Sequence, residues 1–93
     1  MKYIDWDELK NLKLKEEREV GFEDVLTSID EFGILDEVEH PNKYRYPNQK
    51  ILIVNINDYA YLVPYVEDEE KIFLKTIIPS RKATKKYIDK DRK

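Results

Sequence analysis

The residues best suited to chemistry lie near the C-terminus, where Ser80-Arg81-Lys82-Ala83-Thr84-Lys85-Lys86-Tyr87 gathers four bases, two hydroxyls and a phenol. Arg81 and Lys85 lie four apart, as do Lys82 and Lys86, so on a helix they make two adjacent basic stripes. Ser80, just after Pro79, is a good N-cap, and the free N–H groups of a first turn add anion-binding donors. Tyr87 sets a flat ring and a hydroxyl at the end of the array. Cations hold phosphate and flat rings hold unstacked bases, so the pattern fits RNA. It also fits metal-free RNA cleavage: the ribose 2′-hydroxyl attacks the adjacent phosphate, arginine or lysine steadies the developing charge, and a nearby base and acid move protons. A solubilising, lysine-rich terminal helix has the same composition, and spacing alone does not separate the two.

Elsewhere the chemistry thins out. His40 is a candidate proton carrier because the histidine side chain is the usual acid–base group near neutral pH, yet it precedes Pro41 at the end of an acidic strand, where an exposed or structural histidine fits as well. With that sole histidine and no cysteine, neither a hydrolytic triad nor a thiolate zinc site is easily assembled, and no metal or cofactor is expected. Glycine occurs at Gly21 and Gly33 alone, which excludes a glycine-rich phosphate loop. Tyr59, Tyr61 and Tyr65 alternate onto one strand face, a pattern of packing or of a partner interface more than of base stacking.

Charge is segregated along the chain. Residues 1–39 hold 13 acids and 5 bases, whereas residues 40–93 hold 7 acids and 12 bases. The net charge of −3 therefore hides a basic end that attracts phosphate and an acidic end that repels it. A hydrophobic fraction of 41% supplies one core, and 93 residues suit one domain spanning the whole chain. No apolar run is long enough for a membrane span and no signal-peptide pattern opens the chain, so a cytoplasmic protein is expected.

These candidates need elements to position them. Lys2-Tyr3-Ile4 reads as a short strand or a lead-in. A helix then opens at either of two caps. Asp5 would pair with Glu8 in a capping box, with Ile4 and Leu9 as a hydrophobic staple, whereas Asp7 would leave Trp6 on the strand. Either way the helix runs to about Arg18, with Trp6, Leu9 and Leu12 as its apolar stripe. Phe22, Val25, Leu26 and Ile29 share one face of a second helix, which Gly33 stops. From Leu35 the period turns extended: strands over 35–40, 50–56, 59–66 and 71–78, with Asn57-Asp58 as a turn and Pro64 marking an edge or bulge. The expected architecture is α+β: two N-terminal helices, a four-stranded antiparallel meander and a C-terminal basic helix.

Two motifs add a resemblance. Trp6-Asp7 is followed by Phe22-Glu23-Asp24-Val25, and the chain closes its last strand with Ile77-Ile78-Pro79-Ser80-Arg81-Lys82-Ala83-Thr84-Lys85-Lys86. Together, in this order, they resemble the BrnT family of type II toxin–antitoxin systems. The resemblance implies a RelE-like fold and a metal-independent endoribonuclease toxin that cleaves RNA to arrest growth, with ribosome-associated mRNA among the candidate substrates. It also implies a cognate antitoxin protein as partner, with a homodimer or a toxin–antitoxin heterotetramer as the assembly. On this basis Arg81 anchors phosphate and stabilises charge, while Ser80, Lys82, Lys85 and Lys86 contact the RNA backbone. Glu17-Arg18-Glu19 stands where many members carry Lys-His-Gly, which leaves Arg18 as a cation at that place. Tyr87 replaces a common glutamate and is similar to the C-terminal tyrosines of RelE-type toxins, so Arg18 and Tyr87 join Arg81 and His40 as catalytic candidates. The alternative is a non-catalytic protein-interaction or RNA-binding module.

Overall fold

Asp7, not Asp5, opens the first helix: its carboxylate accepts the Leu9 N–H at 2.9 Å. Trp6 accordingly stays on a strand, and the computed structural model, which describes residues 2–89, begins with β1 (Tyr3–Trp6) and α1 (Glu8–Arg18). Then follow α2 (Phe22–Phe32), β2 (Asp36–Glu39), β3 (Gln49–Ile56), β4 (Tyr59–Glu67), β5 (Lys71–Leu74), β6 (Ile78–Pro79) and a C-terminal helix. That helix is α-helical over α3 (Arg81–Ala83) and continues as a π-helix over Thr84–Ile88. The class is α+β. The sheet is mixed, because β2 to β5 form the expected antiparallel meander while β1 lies parallel to β5 at its edge, Tyr3 opposite Lys71 and Trp6 opposite Leu74. Among the described residues, no helix is long and apolar enough to cross a membrane.

Three expectations need correction. First, the Trp6–Leu9–Leu12 stripe is not the buried side of α1. Leu9 is 77% and Leu12 52% exposed, while Asn11 and Leu14 face inward at 0% and 2%. Asn11 is buried because its side chain does what a local cap would do for α2. Its Oδ1 accepts the Phe22 N–H at 2.7 Å and its Nδ2 donates to Glu23 at 3.0 Å, so the buried amide is satisfied. Second, the last strand is two pieces. Lys75 donates its N–H to the Pro64 carbonyl at 2.8 Å, but Pro64 has no N–H to return and the ladder stops there. Ile77 turns into the core at 0% exposure before Ile78 resumes pairing with Leu62. Third, the first predicted strand of the meander spans 36–39 only.

Other local readings hold: Gly33 ends α2 at φ 78°, and Asn57 and Asp58 adopt the positive φ of a tight hairpin turn. At the start of α2, Asp24 takes the Gly21 N–H at 2.8 Å as a capping contact. The larger core lies between the sheet and α1/α2, where Phe22 stacks on Trp6 at 5.5 Å and packs with Leu14, Val25, Val54, Val63 and Leu74.

Candidate nucleic-acid interface

Strand alternation sends Val54 and Val63 into the core under α1 and α2. Ile53, Ala60 and Leu62 point the opposite way, against the C-terminal helix. The sheet thus has a back face, carrying α1 and α2, and a front face, carrying the C-terminal helix. Backbone and hydroxyl contacts seat that helix on β4. The Ser80 N–H donates to Ala60 O at 3.0 Å, the Ala60 N–H donates to Thr84 Oγ1 at 2.9 Å, and the Thr84 hydroxyl donates to Ser80 O at 2.7 Å. Ser80 is the N-cap, its Oγ accepting the Ala83 N–H at 3.1 Å. Ala83 and Thr84 are buried, Tyr87 and Ile88 half-buried, and Arg81, Lys82, Lys85 and Lys86 all exposed.

The four bases therefore share the outer surface. They do not form two straight stripes, because past Ala83 the helix widens until the Asp89 N–H bonds Thr84 O, and four-residue spacing no longer aligns side chains. Among the described residues, the side chains of Arg81, Lys82 and Lys85 make no hydrogen bond or ion pair. Lys86 differs: its ammonium sits 5.2 Å from the centre of the Tyr87 ring. The Tyr87 hydroxyl donates to Asp36 Oδ2 at 2.5 Å, joining the helix to β2. This bond raises the Tyr87 phenol above its ordinary pKa and holds the Asp36 carboxyl below its own. Tyr87 is thus kept protonated and fixed in place.

The other catalytic candidates lie on other elements. Arg18, at the end of α1, donates to the Ile77 carbonyl at 2.5 Å, an acceptor left without a strand partner where β5 and β6 part. His40 follows the far end of β2 from Asp36. Its Nδ1 accepts the Asn42 N–H at 3.0 Å and its ring lies 4.4 Å from that of Tyr46. The structure brings Arg81, Lys82, Lys85, Lys86 and Tyr87 onto one helix, and it does not bring His40 to them. Tyr65 is buried at 3% and donates to Glu37, and burial pushes its phenol upward; Tyr61 packs half-buried against the same core, and Tyr59 meets its ring edge-on at 5.8 Å.

Sequence reasoning overlooked Lys71 and Lys75. Alternation from the inward-facing Leu74 puts both on the front face with Phe73, and Lys75 is exposed. The signal was present in the period of Lys71-Ile72-Phe73-Leu74-Lys75, but which side faced the basic helix depended on sheet register. Behind the sheet α2 carries Glu23, Asp24, Asp30 and Glu31 and no base, whereas α1 mixes Lys10, Lys13, Lys15 and Arg18 with Glu8, Glu16 and Glu17. A groove of about 570 Å³ between α2 and the β3–β4 turn is likewise lined by Asp24, Glu31 and Asp58. Among the described residues, no cluster of three or more histidine, cysteine or acidic side chains is arranged to hold a metal. No family model, curated protein or solved structure matches the chain.

Proposed function

We propose that this protein is a BrnT-type toxin with a RelE-like fold that binds and cleaves single-stranded RNA through the outer surface of its C-terminal helix. One observation carries the reading: four exposed bases share that surface, on the face of the sheet opposite the uniformly acidic α2. Four bases clustered on one surface attract a polyanion there, whereas behind the sheet the acids of α2 lie beside the mixed charges of α1. The Trp6-Asp7 and Ile77-to-Lys86 motifs support the same reading.

In the proposed chemistry the 2′-hydroxyl gives its proton to solvent water, its oxygen attacks phosphorus and the bond to the 5′-oxygen breaks, while Arg81 holds the scissile phosphate and offsets the developing charge. The products are a 2′,3′-cyclic phosphate and a 5′-hydroxyl. Lys82 and Lys85 contact neighbouring phosphates. Tyr87 is the candidate donor to the leaving 5′-oxygen, a role in which its hydroxyl must turn from Asp36 to the substrate and recover its proton from water afterwards. Inducible expression of the wild type and Arg81→Ala, read for growth and RNA integrity together, tests this. Growth arrest with fragmented RNA in the wild type and neither in the variant is expected; arrest unchanged by Arg81→Ala refutes the assignment.

A second reading, a non-catalytic interaction module, is favoured by the exposure of Leu9 and Leu12 on α1. It predicts no RNA fragments at any expression level, and loss of partner binding when both leucines become polar.

A further inference from the structure

Along β5 and β6 the front face carries side chains that neither the motif nor the helix accounts for. Lys71, Phe73 and Lys75 alternate onto it, and Tyr3 joins them from β1, paired in register with Lys71. Tyr3 is 55% exposed and Phe73 half-buried, and because Tyr3 pairs with Lys71 and Asp5 with Phe73 the two rings occupy diagonal positions on adjacent strands. The Lys71 ammonium lies 5.7 Å from the centre of the Phe73 ring and 3.3 Å from Asp5 Oδ2, which keeps it charged and pinned. Beyond Lys75 the chain turns at Ile77, resumes as β6 and enters the basic helix. Bases and flat rings therefore succeed one another along one line, from Tyr3 and Lys71 through Phe73 and Lys75 to Arg81 and Lys82.

We infer that this line is a single-stranded RNA track leading to the Arg81 helix, with Tyr3 and Phe73 stacking nucleobases and Lys75 holding a phosphate. The inference rests on the proposed RNA-binding reading and adds a base-stacking subsite to it. Stacking requires unpaired bases, because a duplex hides their flat surfaces, so the track selects single strands. A partly apolar strip beside cations, rather than cations alone, is what separates it from a general anion surface. Asp5 on this strip is paired with Lys71, and the acidic turn over residues 67–70, whose Asp68 accepts the Lys71 N–H, bounds the track at its Tyr3–Lys71 end.

Binding of a fluorescent oligouridine of about 12 nucleotides, followed by anisotropy in the full-length protein, tests it. Tyr3→Ala removes an exposed ring, and Phe73→Leu removes a ring while keeping apolar volume, so both variants should fold with unchanged urea midpoints. Each is expected to weaken binding about fivefold or more. Lys75→Ala should lower the slope of log affinity against log salt by about 0.7. A duplex of equal length should bind with no dependence on Tyr3 or Phe73. Wild-type affinity in both ring variants, with Arg81→Ala weakened, overturns the track and leaves the proposed function standing. No binding by the wild type overturns both. Equal loss for duplex and single strand also overturns the track.

Discussion

The two faces of the sheet divide the work of the molecule. Behind it, α1 and α2 close over a core in which Phe22, Val25, Val54 and Val63 are 0% exposed, and the buried Asn11 is satisfied by Phe22 and Glu23. In front, a short helix closes over little more than Ile53, Ala60 and Leu62, and Val38 and Ile78 remain 38% and 39% exposed. The back face has most of the apolar burial and the front face most of the uncommitted cations. Stability and ligand chemistry are thus separable here, and substitutions on one face should leave the other's property largely intact.

The largest effect should come from Phe22→Ala, about 3–5 kcal/mol of lost stability by urea unfolding, since the ring is enclosed and its cavity cannot collapse. Gly21→Ala should follow at about 1–3 kcal/mol. A Cβ there would lie 2.5 Å from Lys15 Cε and 2.9 Å from Asn11 Oδ1, and Asn11 cannot move without releasing the Phe22 N–H. On the front face Ile53→Val should cost only about 0.5–1.5 kcal/mol. If Ile53→Val cost as much as Phe22→Ala, the contrast in packing would be wrong.

Two smaller effects sharpen the contrast. Hydrogen bonds from Asn11, helped by Lys15, hold the Glu23 carboxyl below its ordinary value. Its stabilising contribution is complete above the unfolded carboxylate value of about 4.3 and disappears as pH falls through the lowered folded value. Glu23→Gln should therefore be less stable than wild type at neutral pH and converge with it in acid, as followed by urea midpoints across that range. Tyr87→Phe removes the hydroxyl that donates to Asp36. It should raise hydrogen exchange in Thr84–Ile88 while leaving the back-face amides protected; a uniform loss of protection would mean the helix is integral to the main core.

How far these features were legible in the sequence depends on how local their causes are. α2 could be read from Phe22, Val25, Ile29 and Gly33 because periodicity and a glycine stop are local signals. The C-terminal helix could be read from Ser80 for the same reason. Leu9 and Leu12 misled because the inward position of Asn11 is set by the N-terminus of α2, eleven residues away. The gap between β5 and β6 likewise depends on Pro64 on the neighbouring strand, and the front-face placement of Lys71 and Lys75 on a register no local pattern encodes. Arg18 suggested a cation for the site, yet its donation to Ile77 is made across the fold.

The account is tested most directly by incubating purified wild type and Arg81→Ala with end-labelled single-stranded RNA, with and without ribosomes, and mapping the new ends. The wild type should yield fragments ending in 2′,3′-cyclic phosphate, and the variant, with an unchanged urea midpoint, should leave the RNA largely intact. RNA left intact by the wild type under both conditions, or cut equally by Arg81→Ala, would contradict it.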